Sequence, residues 1–378
     1  MSERTGCALV ELAVLEALDA VASGRPRAYV RSAKALAAIE ERIGLGPMYA
    51  YDLLLDLARP WVIPIATVAV QGNKGDRSFP MAAGPGYTEC RLSQVGQLVL
   101  MAEAHRLAPV PVGLINGTTY RGGTQPSLEP FAVIAALRRL LEDPHVPDRE
   151  VTGIAGGPYS VTGCTVTGNI AALARGRRVV LRETGQITIT GVLVPQAPVD
   201  PPAAGRGVMV AHGGIGPGPA IPAHLVIESL PARTVASEVA QEIARRAASR
   251  PWSGSHPELA RRTELPVADV DDRSAYEVRI PIRLRPGSDP AAVRDQIATI
   301  EGVSVEASRA FPAPLATLLR SWVDRYRCED IAASLNELAD AIHRDQQRER
   351  RNRLPGKAGI PSSLATRAGV AGPTDPGL

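Results

Sequence analysis

Aromatic residues account for only 4% of this 378-residue chain, so its hydrophobic cores must consist mainly of aliphatic side chains. Cysteine is also scarce, and the four positions lie far apart, without the CxxC spacing of a zinc site or a disulfide framework. No apolar stretch is long enough to cross a bilayer, and the N-terminus shows no signal-peptide pattern. These absences predict a reduced, cytoplasmic protein with no membrane partner and no metal ligands of its own.

An excess of positive charge is likewise missing, because 42 lysines and arginines stand against 39 aspartates and glutamates, for a net charge of +3. This excess is too small to indicate a nucleic-acid partner, which only a local basic patch could do. Lysine itself is rare, and the chain contains only Lys34, Lys74 and Lys357. Arginine suits phosphate binding, but the coding composition of the gene would produce the same bias.

Aliphatic residues, glycine and proline are abundant. The chain is 45% hydrophobic, enough for two or three domains with cores, and 35 glycines and 33 prolines predict many turns. Apolar periodicity predicts helices at 7–21, 33–43, 49–57 and 90–107, and β-branched residues at 62–70 predict a strand. This order is compatible with a winged-helix arrangement.

The composition changes after residue 108. We predict a strand at 110–115, a helix at 131–141 and several short strands within 161–190. Residues 193–222 are rich in proline, glycine and alanine and are interpreted as a loose insertion. From 224 to 306, strands and helices alternate, which predicts a small α+β sheet with helices on one side.

Apolar residues continue at helical spacing from 315 to about 351, which predicts one long helix. The composition of the remaining residues, rich in glycine, proline, serine and alanine, predicts disorder. The patterns together predict an α+β fold in five parts. The predicted boundaries are 1–24, 25–107, 108–311, 312–351 and 352–378.

Eight short blocks stand in the order in which they occur in one known family. Three of them are Tyr87-Thr88-Glu89-Cys90-Arg91-Leu92, Gln71-Gly72-Asn73-Lys74-Gly75-Asp76 and Leu114-Ile115-Asn116-Gly117-Thr118. They resemble the RYTEARL, QGNFGS and LLVNGT segments of the breakage–reunion protein of bacterial type IIA DNA topoisomerases (DNA gyrase A or its topoisomerase IV counterpart). The resemblance extends from about Arg25 to Asp272, and the block that begins at Tyr87 is its most specific part.

This resemblance implies a winged-helix-like breakage–reunion domain over residues 25–107, a β-rich tower-like domain over 108–311 and a truncated coiled-coil arm over 312–351. It implies that Tyr87 attacks a DNA phosphate and forms a phosphotyrosine link that is later resealed. Mg²⁺ and ATP would both be held by a separate ATPase/Toprim subunit. The chain would act as a homodimer within a heterotetramer on double-stranded DNA, at the nucleoid.

Several features of the family are replaced in this chain. Gly86 stands where the family has an arginine, and residues 43–47 lack the histidines and the aspartate of the HPHGD segment. Residues 120–126 replace the segment that carries the DNA-intercalating isoleucine. These departures leave a second hypothesis open, a degenerate paralogue that binds DNA or the partner subunit without cleaving. A third is a monomeric regulatory decoy.

Basic residues around Tyr87 are the candidates for phosphate contact. Arg91, placed one helical turn after Tyr87, and Arg77, in the preceding loop, could replace the missing arginine. The predicted DNA-binding residues are Arg25, Arg27, Arg31, Lys34, Lys74 and Arg77. A solvated charged face remains the alternative for these residues, and a partly buried loop tyrosine remains the alternative for Tyr87.

Other motifs are interpreted without a site. Asp269, Asp271 and Asp272 are interpreted as a solvated turn in preference to a metal site, and the six histidines lack ligand spacing. The glycines of residues 213–218 lack the Lys-Ser/Thr pair of a phosphate-binding loop. The sequence therefore predicts no ATP site in this chain.

Overall fold

The fold is mixed α+β, with small antiparallel sheets, in a computed structural model that describes residues 2–22, 28–120, 123–190, 224–248 and 265–353. The described helices are α1 (Leu9–Ala22), α2 (Ser32–Ile43), α3 (Pro47–Asp56), α4 (Gln94–Glu103), α5 (Val112–Asn116), α6 (Pro130–Glu142), α7 (Asp148–Ala155), α8 (Ile170–Ala174), α9 (Ala236–Ala247), α10 (Pro290–Ile297), α11 (Leu315–Arg325) and α12 (Ile331–Arg353). Among them, no helix combines the length and apolar character needed to span a membrane.

The described strands form four sheets, and every pairing between strands is antiparallel. The strands are β1 (Val30–Arg31), β2 (Val68–Gln71), β3 (Glu89–Leu92), β4 (Thr119–Tyr120), β5 (Gly123–Thr124), β6 (Thr165–Gly168), β7 (Val179–Thr184), β8 (Ile187–Thr190), β9 (His224–Ile227), β10 (Val267–Val270), β11 (Ile280–Leu284) and β12 (Ser304–Arg309). Their orders are β1-β3-β2, β4-β5, β12-β7-β6 and β10-β11-β9-β8.

Tyr87 belongs to the region formed by the first sheet and the helices around it. Helix α2 ends because Gly44 adopts the left-handed conformation (φ 65°), and α3 begins with proline in its first turn. The predicted helix at 90–107 is partly wrong, because the chain is extended through β3, where Cys90 and Leu92 alternate into the core. The Ser93 side chain then accepts a hydrogen bond from the Gly96 N–H and caps α4.

Residues 110–115, predicted as a strand, instead lead into helix α5. The Gly113 N–H donates to the Thr5 carbonyl at 2.8 Å, and the backbones of Gly113 and Gly6 approach closely. A Cβ atom on Gly113 would lie 2.1 Å from Gly6. The N-terminal segment therefore fixes the local conformation, which a short apolar run cannot specify.

Two hydrophobic cores support the described residues. The larger unites α1 to α7 with α11 and α12, and the smaller lies between the four-stranded sheet and helices α9 and α10. In the smaller core, Val239 and Ile243 of α9 and Val293 of α10 pack with Leu225 and Ile280 of the sheet. This arrangement confirms a small sheet with helices packed against it, but the end of the predicted range differs, because β12 pairs with β7 in another sheet and β8 joins this one instead. The predicted insertion at 193–222 and the tail beyond residue 353 lie outside the described residues.

The predicted single helix at 315–351 is wrong, because the chain breaks between α11 and α12. The Tyr326 hydroxyl donates to the Glu3 carbonyl, and Glu329 forms an ion pair with Arg4 at 2.8 Å. Asp330 then accepts a hydrogen bond from the Ala333 N–H at 3.0 Å and starts α12. These contacts turn α12 back against α4 and α6. The winged-helix, tower and domain-boundary assignments remain predictions.

Candidate active site

Tyr87 lies on the loop between β2 and β3 and is 81% exposed. Its N–H donates to the Gly84 carbonyl at 2.8 Å, which closes a turn immediately before β3. The alternative of a partly buried tyrosine does not fit this exposure. The phenol is open to solvent.

A buried hydrogen-bond chain holds the loop beneath Tyr87. Thr88 is 1% exposed, and its hydroxyl lies 2.8 Å from the Tyr51 hydroxyl and 2.9 Å from that of Ser32. The Tyr51 hydroxyl also donates to the Ala83 carbonyl at 2.8 Å. Burial raises the pKa of Tyr51, so it remains a neutral hydrogen-bonding group near pH 7. Tyr87 is therefore an exposed side chain on an ordered support.

Sequence reasoning did not identify Tyr51 and Ser32 as supports of the site. Only the contact of Tyr51 with Thr88 reveals its role. Ser32 is separated from Thr88 by 56 positions in the sequence, so no local pattern could connect the two.

The last residues of the same loop pack against the N-terminus of α2. The N–H groups of Ser32 and Ala33 donate to the carbonyls of Thr88 and Pro85, each at 2.9 Å. A helix N-terminus carries partial positive charge and favours anions. Arg31 and Lys34 are exposed beside it, and among the described residues neither forms an ion pair. The surroundings of Tyr87 therefore suit a phosphate group.

Arg31 and Lys34 are the members of the predicted DNA-binding set that the structure places at this helix start. Arg25 and Arg27 lie outside the described residues. Arg31 also faces Glu89 across the strand pair β1–β3, which partly balances its charge.

Arg91 does not occupy the position on which its predicted role depended. Residues 89–92 are extended in β3, so Arg91 does not lie one helical turn after Tyr87 on a common helix face. The Arg91 guanidinium instead lies 4.4 Å from the ring centroid of Tyr29. The prediction that Arg91 stabilises a phosphate at Tyr87 loses its geometric basis.

Lys74 and Arg77 also differ from the prediction that they contact DNA. Their exposures are 4% and 3%. Lys74 donates to the Ala58 carbonyl and to Glu349, and Arg77 donates to the carbonyls of Leu230 and Pro231. Burial lowers the pKa of Arg77. Both side chains hold the loop to the rest of the fold, so we remove them from the proposed DNA-contacting set.

Gly86 leaves open space beside Tyr87. A Cβ atom at this position would have no heavy atom within 4 Å, and the φ angle of Gly86 lies outside the left-handed region. The fold therefore does not require glycine here. The missing cation next to Tyr87 is a property of the sequence and not a steric demand of the loop.

The acidic turn between β10 and β11 is occupied by local contacts. Asp269 pairs with Arg283 at 3.1 Å, Asp271 pairs with Arg273 at 2.7 Å, and Asp272 accepts from the Ser78 hydroxyl. Within the described parts of the chain, no three histidine, cysteine or acidic side chains converge in a possible metal site.

The chain is 24% identical over 279 residues to the chloroplastic/mitochondrial DNA gyrase A protein of Nicotiana benthamiana. The match covers 67% of this chain but 26% of the relative, so the chain spans about a quarter of the relative's length. No family model matches the chain. The similarity supports a distant gyrase A-like relationship.

Proposed function

We propose that this chain is a topoisomerase-like protein that cleaves and rejoins DNA through Tyr87. One observation carries the proposal: an exposed tyrosine on an ordered loop lies beside the N-terminus of α2, with Arg31 and Lys34 exposed next to it. The distant similarity to gyrase A supports the same function. The reaction class is phosphoryl transfer from DNA to a phenol and back.

The chemistry needs charge stabilisation. A phenol ordinarily ionises near pH 10, so its attack on a phosphodiester requires nearby positive charge. In the proposed step, the Tyr87 oxygen bonds to phosphorus and loses its proton, and the bond from phosphorus to one deoxyribose oxygen breaks. That oxygen takes up a proton. Resealing reverses these changes, so the phosphodiester is restored without an external energy source for bond formation.

The residues of this chain would orient and hold the phosphate. The side chains of Arg31 and Lys34 would bind its oxygens, the partial positive charge of the α2 N-terminus would favour the anion there, and the Thr88 network would keep the Tyr87 loop in place. Mg²⁺, held by an ATPase/Toprim partner, would supply Lewis-acid stabilisation of the departing oxygen. We propose that the same partner binds ATP and that the working assembly contains two copies of each protein.

A covalent-adduct assay tests the proposal. The chain is mixed with a cognate ATPase/Toprim partner, Mg²⁺ and supercoiled plasmid, and the reaction is stopped with detergent. We expect protein-linked DNA that disappears in Tyr87→Phe and persists in Tyr49→Phe, which alters another exposed tyrosine, on α3. DNA binding without any adduct in the unsubstituted chain would refute cleavage.

The second candidate is DNA binding without cleavage, and Gly86 favours it. No side chain at position 86 provides a cation beside the phenol. In this case Arg31→Ala combined with Lys34→Ala should make the negative slope of log affinity against log salt concentration shallower by about 1.8, because about 0.9 counterion is released per neutralised phosphate. An unchanged slope would show that these two residues do not contact the DNA backbone.

A further inference from the structure

Strand β2 has an open edge. Among the described strands it pairs only with β3, in the order β1-β3-β2. The Ser93 N–H donates to the Thr67 carbonyl at 3.0 Å, so Thr67 and every second residue after it direct their backbone groups toward β3. Val68 and Val70 therefore direct their N–H and carbonyl groups away from β3, toward the open edge.

Three of these outward backbone groups have no partner among the described residues. The Val68 N–H donates to the Leu57 carbonyl at 3.1 Å, but the Val68 carbonyl and both backbone groups of Val70 form no hydrogen bond. The side chains of both valines pack in the larger core, so what these residues offer at the edge is backbone. An edge of this kind is a template for pairing with a further strand.

A cavity of about 320 Å³ follows this edge. Consecutive residues, 64–66 and 68–70, line it, whereas a cavity confined to one face of the sheet would be lined by alternate residues. Ile342 and Gln346 of α12 also line the cavity, together with the ring of Tyr159. A further strand needs a spacing of only about 4.8 Å from its neighbour. The space therefore suits an extended peptide.

Arg348 and Arg350 give this cavity an available positive charge. Both line it, both are exposed, and neither forms an ion pair with a described residue. The acidic residues on the same wall are already engaged. Glu349 pairs with Lys74 at 2.9 Å, and Asp345 Oδ2 accepts from two N–H groups at the start of α4, at 3.0 and 3.3 Å. Charge complementarity therefore favours an acidic occupant.

We propose that the β2 edge and α12 form a docking site for an extended acidic peptide segment of a partner protein. The peptide pairs with the Val68 carbonyl and the Val70 backbone, and its acidic side chains reach Arg348 and Arg350. Main-chain pairing supplies affinity, and the side chains supply selectivity. A nucleic acid offers phosphates to the arginines, but it has no alternating N–H and carbonyl groups with which to extend a sheet. The site does not depend on cleavage by Tyr87.

A fluorescein-labelled six-residue peptide of alternating glutamate and valine, titrated against the full chain, tests the site. Arg348→Glu combined with Arg350→Glu should raise its dissociation constant at least about tenfold, because attraction becomes repulsion. Arg351→Glu is the matched control, since Arg351 is exposed on the same helix but does not line the cavity. It should change the constant by less than about threefold. All three positions are exposed, so the fold should be retained.

Two measurements test whether the peptide adds as a strand. N-methylation of every second peptide residue removes the N–H groups along one of its edges, so one of the two methylation patterns should abolish binding and the other should preserve it. In the free chain, the Val70 amide should exchange faster than those of Ala69 and Gln71, which face β3. Saturating peptide should slow Val70 exchange at least about tenfold.

Several outcomes would overturn the proposal. The first is a dissociation constant above about 1 mM for the unsubstituted chain. The second is an equal loss of affinity in Arg351→Glu. Equal tolerance of both methylation patterns, or Val70 exchange that the peptide does not slow, would exclude strand addition. Displacement of the peptide by a short DNA duplex, whose own affinity falls in the double charge reversal, would assign the two arginines to DNA. Each result is independent of whether Tyr87 forms an adduct.

Discussion

Replacing Gly86 by arginine should increase the rate at which Tyr87 forms a covalent bond with DNA. The structure permits the change, because a Cβ atom at position 86 meets nothing within 4 Å and the backbone is not left-handed. The residue is also exposed, so the guanidinium remains solvated in the absence of DNA. We therefore expect no loss of folding stability, and a small gain of about 0.5 kcal/mol from the restricted unfolded chain.

The size of the effect follows from the charge that develops on the phosphate. A preorganised donor at such a position contributes about 10²- to 10³-fold in rate, or roughly 3 to 4 kcal/mol. The exposed position of residue 86 reduces this value, because solvent screens its charge until DNA binds. We expect an increase of about 10- to 100-fold, which corresponds to about 1.4 to 2.7 kcal/mol.

Single-turnover adduct formation with the ATPase/Toprim partner measures this rate. Gly86→Ala reproduces the backbone change without the charge, and Gly153→Arg adds the same side chain at an exposed glycine of α7 that also has open space. Combining Gly86→Arg with Tyr87→Phe should abolish the adduct. Equal rates for Gly86→Arg and Gly86→Ala, at unchanged stability, would refute the reasoning that the missing cation limits this site.

Three further predictions concern the stability of the fold and the reactivity of its buried and exposed side chains. Thr88→Val should lower the free energy of unfolding in urea by about 1 to 3 kcal/mol, because it removes the hydroxyl that links Tyr51 to Ser32; an unchanged midpoint would contradict this. Ellman's reagent should modify one thiol of the native protein quickly, that of the exposed Cys328, and all four thiols after denaturation. The other three react slowly because they are buried, which raises the pKa of Cys7 to about 12 and that of Cys90 to about 11 and also raises that of Cys164. Burial also raises the pKa of Asp345 above its ordinary value of 3.8, so the folded state holds this proton more tightly. Its contribution to stability should therefore fall as pH rises from below 3.8 through the raised pKa, and Asp345→Asn should remove this fall in urea titrations at a series of pH values.

Local sequence pattern was sufficient where an element carries its own signals. The helix predicted at 131–141 is α6, whose apolar stripe repeats at helical spacing and whose start is marked by Glu129 and Pro130. The same holds for α10, one of the helices in the alternation predicted from 224 to 306, which Asp289 caps. In both cases the amphipathic period and the cap lie within one short segment.

Short apolar runs were ambiguous for a physical reason. Residues 110–115 and 90–92 each span fewer than two helical turns, so neighbours decide between helix and strand. The close approach of Gly6 and Gly113 fixes the first, and pairing with β1 and β2 fixes the second. The break before α12 depends similarly on Arg4, which is 325 positions from Glu329.

The sequence by itself determined that Tyr87 begins the block similar to the nucleophile motif and that Gly86 precedes it without a cation. Only the tertiary structure decided that Tyr87 is exposed, that Arg31 and Lys34 lie with it at the start of α2, and that Arg91 lies in β3 against the Tyr29 ring. Lys74 shows why. A basic residue in a polar loop looks the same in sequence whether it faces DNA or Glu349, a partner 275 positions away. The burial of its charge depends on long-range contacts that no local pattern records.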